Sequence, residues 1–173
     1  MTVWTVIQSE DDPRRGRLIG PMYDAPCALG RTGMIPADAK REGDGASPMG
    51  TYPFRQVYYR PDKVPRPMSG VPVGMLKPDY GWCDDASSAH YNRLVRLPFG
   101  PSHEKMWRDD DVYDVVVVIG HNDSPVIKGL GSAIFMHVAR EGYTPTEGCV
   151  ALTLKDLTRF LRQVGPDDSL KIG

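Results

Sequence analysis

The chain has 173 residues, with 21 Lys and Arg against 22 Asp and Glu, a balance that gives no reason to expect a nucleic acid or an anionic membrane as partner. The length suits one domain, residues 1–173, with a substantial buried core, and no apolar run is long enough for a membrane span. Eighteen glycines and sixteen prolines without a repeating period predict many turns and short strands rather than a helical bundle.

Met1–Gln8 sets Val3, Trp4 and Ile7 among polar positions and reads as a first strand. Its continuation carries acidic residues where a signal peptide has a basic and then an apolar segment, so no export signal is expected. A polar turn at Ser9–Gly16 predicts a hairpin back through Arg17–Ile19, and Cys27–Arg31 reads as a brief strand between prolines. Lys40–Gly50, KREGDGASPMG, lacks the Gly-Lys-Ser/Thr ending of a phosphate loop and reads as a surface turn entering a strand at Thr51–Tyr59. Arg60–Lys77 reads as a long loop, and residues 81–98 place Trp82, Tyr91 and Asn92 among turn formers.

Val112–Ile119, VYDVVVVI, is the strongest strand signal, and its unbroken valines suit burial on both faces. A polar turn at Gly120–Asp123 follows, then a short strand at Ala133–Val138 that carries His137. The only convincing helix is Thr153–Val164, with Leu154, Leu157, Leu161 and Val164 on one face, Thr153 as N-cap and Gly165 as stop. The expected architecture is therefore mostly β, a sandwich or barrel with one main α-helix near the C-terminus.

Three cysteines, Cys27, Cys83 and Cys149, leave at least one thiol unpaired within the chain. His121, His137 and Cys149, even joined by His90 or Cys83, match no metal-ligand spacing, so no metal or other cofactor is expected. His137 and Cys149 stand twelve positions apart around Gly142, Pro145 and Gly148, and a chain advancing about 3.3 Å per residue can fold once and bring them together. A thiol attacks carbonyls as thiolate, and a neighbouring imidazole can take its proton and later return it to a leaving amine. Gly148 removes a side chain beside the sulfur and leaves main-chain N–H groups for an oxyanion. The competing reading is a buried, space-filling cysteine and a satisfied core histidine. The order His before Cys at this distance fits neither papain-like nor caspase arrangements.

Thr146-Glu147-Gly148-Cys149-Val150 after His137, together with KREGDGASPMGTYPF, GWCDD, HYNRLV, HEKMWRDDDVYDVVVVIGHND and GSAIFMHV, resembles the L,D-transpeptidase (YkuD-type) catalytic-domain family over about Gly30 to Gln163. The resemblance implies a bacterial cell-envelope enzyme that opens the bond between the third residue of a peptidoglycan stem, usually diaminopimelate, and a terminal D-alanine. It would hold the acyl group as a thioester and pass it to an amine. By position, Cys149 would be the nucleophile, His137 the base oriented through a backbone carbonyl, and the Gly148 and Cys149 N–H groups the oxyanion donors.

Many similar sequences follow the cysteine with Ile/Val-Arg, where this chain has Val150-Ala151, so Arg108 or Arg140 is a candidate to hold a stem carboxylate, against the plainer reading of a solvated arginine. Trp82, Tyr91, Asn92 and Trp107 either wall the peptide groove or anchor long loops. Ser132 is placed to hydrogen-bond within the site or to its own backbone, and Glu147 joins the substrate-binding candidates. His121 stands where similar sequences often have tyrosine, and Cys83 reads as packing. Water as acceptor would make the same site an L,D-carboxypeptidase. A silent peptidoglycan-binding domain and a thiol hydrolase of unrelated amides are the other readings, and an activated thiol should titrate below an ordinary one.

Overall fold

Glycine and proline punctuation cuts the chain into strands of three to six residues with one long exception. The computed structural model, which describes residues 1–173, shows β1 (Val3–Gln8), β2 (Arg15–Gly20), β3 (Tyr23–Ala28), β4 (Met34–Pro36), the long β5 (Ser47–Tyr59), β6 (Val73–Met75), β7 (Tyr80–Cys83), β8 (Leu94–Arg96) and β9 (His103–Lys105). The second half adds β10 (Val115–Ile119), β11 (Phe135–Val138), β12 (Val150–Leu152), the only α-helix α1 (Leu154–Leu161), and β13 (Ser169–Ile172). The mostly-β expectation with a single helix holds.

The main sheet runs β10-β11-β12-β3-β2-β1-β13-β5, and a further pairing of β5 with β10 closes the ring into a barrel. Closure removes the free edges that an open sheet would expose. Strands β4 and β6 attach to β5 outside the ring, and β8-β7-β9 form a separate three-stranded sheet.

Alternation along the strands divides the buried side chains between two clusters. Val115, Val117, Met136, Val138, Val150 and Leu152 join Trp4, Leu18 and Leu170 in the larger one, against which α1 lays Leu157, Phe160 and Leu161. The intervening Val116, Val118 and Phe135 pack with Trp82, Met106 and Tyr113 in the smaller cluster, beneath the three-stranded sheet. All five residues of β10 are buried, as its valine run requires.

Several boundaries differ from those expected. The strand predicted at Cys27–Arg31 lies earlier, at Tyr23–Ala28, where Pro26 sits opposite Arg17 in the pairing with β2. β5 begins at Ser47, so the last four residues of the predicted surface turn, Ser47–Gly50, are strand. The long loop and the 81–98 segment contain β6, β7 and β8, and the C-terminal β13, parallel to β1, had no sequence signal. The helix is shorter than its periodicity, and Thr153 caps it by accepting from the Asp156 N–H at 3.2 Å.

Candidate active site

His137 and Cys149 are brought together by strand register. In β11, Phe135 and His137 share the face of the smaller cluster while Met136 and Val138 point into the larger one. β12 runs parallel to β11 with Val150 opposite Met136 and Ala151 opposite His137. The same register sets Cys149, one residue before β12, beside Phe135 on the face His137 occupies. With strands about 4.8 Å apart and two residues of rise, the backbone diagonal is about 8 Å, and a thiol and an imidazole reaching over one face narrow it further. Both side chains line a single cleft of about 410 Å³.

The turn ahead of the sulfur is held at several points. Thr146 bridges to Gly30, its N–H donating to Leu29 O at 2.9 Å and its carbonyl accepting from the Arg31 N–H at 2.7 Å. Its hydroxyl donates to Cys149 O at 2.7 Å and accepts the Gly148 N–H at 3.1 Å. Ser47, wholly buried in β5, accepts the Gly30 N–H at 3.0 Å and donates to Gly148 O at 2.8 Å. Gly148 is required here: its φ is +134°, and a Cβ would meet Ala46 O at 2.6 Å and Ile134 Cδ1 at 3.0 Å.

These bonds correct one expectation. The Gly148 N–H is engaged by Thr146 and is not a free oxyanion donor, whereas the Cys149 N–H donates to no group in the protein. That N–H belongs to the same trans peptide as Gly148 O, so Ser47, by fixing the carbonyl, aims the N–H the opposite way.

The sulfur accepts the Phe135 N–H at 3.3 Å and donates to Ala133 O at 3.3 Å. Burial pushes the pKa of the thiol up to about 12, and the Phe135 N–H only partly offsets this. His137 places Nδ1 3.0 Å from Val138 O, which fixes that nitrogen as the protonated one and leaves Nε2 without a protein partner. Burial lowers the imidazole to about 4. Burial therefore favours the neutral form of both the thiol and the imidazole.

Charged groups ring the cleft in two sets. Arg108 and Arg140 line it and converge on Asp110: Arg108 Nη2 lies 2.7 Å and Arg140 Nη2 3.3 Å from Asp110 Oδ2. The Arg108 hydrogen bonds hold the Asp110 carboxyl well below the usual carboxylate range. Glu42, Asp84 and Glu104 line the same cleft, with Ser132 bonded to Glu42 at 2.9 Å and Tyr91 at 2.8 Å. Glu147 also lines it but pairs outward with Arg31 at 3.1 Å. Ala151 is almost fully buried opposite His137, so no cationic side chain follows the cysteine on this face.

Four groove candidates fall elsewhere. Trp82 packs edge-on against Phe135 at 4.9 Å and donates its indole N–H to Asn92 Oδ1 at 3.0 Å. Asn92, buried at φ +55°, also accepts the Ala133 N–H and donates to His121 O and Asn122 O, so it ties three loops together. Both residues border a separate cavity of about 280 Å³. Tyr91 is buried with its hydroxyl accepting from the Gly131 N–H at 3.0 Å, and Trp107 stacks under the Arg60 guanidinium at 3.8 Å. All four are anchors because a large or amphipathic side chain with a satisfied polar tip buries well. His121 is buried with Nδ1 unpartnered, and Cys83, like Cys27, is a free buried thiol.

Sequence reasoning missed Ser47, Glu42, Asp84, Glu104 and Tyr113. Tyr113 sets its ring edge against His137 at 5.6 Å and donates its hydroxyl to Glu104. No cluster of histidine, cysteine or carboxylate side chains is arranged to hold a metal ion.

The fold and site define a mostly-β domain with a thiol and an imidazole opening on one charged cleft. The family model for the L,D-transpeptidase catalytic domain, YkuD, matches residues 13–172, and the chain belongs to that family. No curated protein and no solved structure matches it.

Proposed function

We propose that the chain is a single catalytic domain acting as a peptidoglycan L,D-transpeptidase of the bacterial cell envelope, with Cys149 as nucleophile and His137 as base. The observation that carries this reading is the thiol and the unpartnered imidazole on one face of adjacent strands in one cleft, next to an unpaired Cys149 N–H. Family membership supports it.

In the forward step the sulfur attacks the carbonyl of the stem's third residue as its proton passes to His137 Nε2. The Cys149 N–H donates to the oxyanion. The C–N bond to D-alanine then breaks, His137 returns its proton to the leaving amine, and a thioester remains. An amine acceptor resolves the thioester into a cross-link, whereas water would give carboxypeptidase activity. Arg108 and Arg140 line the cleft, and a stem carboxylate held there would share them with Asp110.

Incubation with disaccharide-tetrapeptide is expected to give a covalent adduct on the intact protein with loss of D-alanine, and cross-linked dimers on further reaction. Cys149→Ala is expected to give neither, and equal products from both proteins would end the proposal. Burial that keeps the thiol protonated is the one observation favouring a silent peptidoglycan binder instead. That reading predicts binding of the same muropeptide with no adduct.

A further inference from the structure

Three carboxylates of the cleft, Glu42, Asp84 and Glu104, are less closely neutralised than its other charges. Lys40 pairs with Asp44, Glu147 with Arg31, and Arg108 and Arg140 with Asp110. Glu104, by contrast, accepts the Tyr113 hydroxyl, and its nearest guanidinium nitrogen, Arg108 Nη1, stands 3.9 Å away. Asp84 accepts only the Ser102 hydroxyl at 2.6 Å, and Glu42 the hydroxyls of Tyr91 and Ser132. Excess negative charge thus faces a cleft in which the nine-tenths buried His137 presents an Nε2 with no protein partner.

Glu104 is the best placed of the three. Tyr113, almost fully buried, holds the carboxylate through its hydroxyl while its ring packs on both His137 and Phe135, the residue whose N–H reaches the sulfur. Burial and the neighbouring Asp84 and Glu42 charges raise the Glu104 carboxyl above its ordinary value, and its charge also disfavours the Cys149 thiolate. A cation closer to Glu104 than the Arg108 guanidinium relieves both effects further.

Resting on the transpeptidase reading, we propose that Glu104 determines acceptor specificity, binding the ammonium of an incoming primary amine beside the thioester and so favouring amine over water. The acceptor arrives as an alkylammonium paired with Glu104, and one proton passes to the carboxylate. The freed lone pair forms the C–N bond at the thioester carbonyl as the C–S bond breaks. A second proton leaves the new nitrogen through His137 Nε2 and restores the Cys149 thiol, and Glu104 releases its proton to solvent. The third proton stays on the amide.

The test starts from the acyl-enzyme formed on disaccharide-tetrapeptide and compares two acceptors: a tripeptide stem ending in a diamino acid, charged at neutral pH, and hydroxylamine, uncharged there. In Glu104→Gln the ratio of aminolysis by the stem amine to aminolysis by hydroxylamine is expected to fall at least about tenfold, with more hydrolysis product. Glu104→Asp is expected to keep most of that ratio. A Glu104→Gln protein with the ratio unchanged, both acceptors slowed alike or neither affected, overturns the inference while the enzyme reading stands. Absence of any adduct on the unaltered protein overturns the enzyme reading and this inference with it.

Discussion

Replacing Ser47 by alanine tests how the turn carrying the sulfur is held. The side chain is wholly buried and is the sole partner of both the Gly30 N–H and the Gly148 carbonyl. Alanine removes little volume but strands two polar groups away from water, each costing about 1–3 kcal/mol. The expected loss is therefore about 2–6 kcal/mol, a large share of the roughly 5–15 kcal/mol that holds such a domain folded. Urea unfolding followed by circular dichroism reads this as a lower midpoint at unchanged slope. The same substitution frees the Gly148–Cys149 peptide to rotate, so the rate of adduct formation on muropeptide should fall by about tenfold or more. A Ser47→Ala protein within about 0.5 kcal/mol of the parent refutes the stability argument, and one that is destabilised yet acylates at the parental rate refutes the aiming of the Cys149 N–H.

Asn92→Ala removes four hydrogen bonds at once and leaves the Trp82, Ala133, His121 and Asn122 groups unpaired; a loss of about 3–5 kcal/mol is expected in urea unfolding, and a loss under about 1 kcal/mol would show that water replaces the side chain. Cys149 in the substrate-free protein should resist iodoacetamide at neutral pH, since burial keeps its proton on; an inflection in labelling rate below pH 8, followed by mass spectrometry, would contradict the neutral resting pair. Acid should weaken the fold before the carboxylates titrate. Burial lowers His121 and His137 to about 4 against 6.5 for a free imidazole, so between those values the unfolded chain binds protons that the native one does not. Stability then rises with pH through that window and is lost on acidification from about 6.5 to about 4, by roughly 3 kcal/mol per imidazole; a urea midpoint flat from pH 7 to 4.5 would refute this.

What the sequence made legible follows the range over which each signal acts. The valine run of β10, the leucine spacing and threonine cap of α1, and the short loop from His137 to Cys149 are local patterns, and all three are present in the fold. β13 is four residues whose partners lie at Val3–Val6 and Gly50–Pro53, and nothing in SLKI announces so distant a pairing. Ser47 was inside a segment read as a surface turn because glycine and charge dominate it, although its hydroxyl reaches a carbonyl 101 positions away. Glu104 offered no pattern at all; only its bond to Tyr113, whose ring packs on His137 of β11, links it to the imidazole. Trp82 and Asn92 were visible as unusual residues among turn formers, but their mutual hydrogen bond turned a candidate groove wall into a brace.

The burial of Cys149 also bears on chemical durability. Peroxides and small disulfides react with thiolates, and sulfenic acid formation follows thiolate character and exposure. Here Cys149 is only 7% exposed, while Cys27 and Cys83 lie sealed in the interior. A chain built this way shields all three of its unpaired cysteines from oxidants in the surrounding solution.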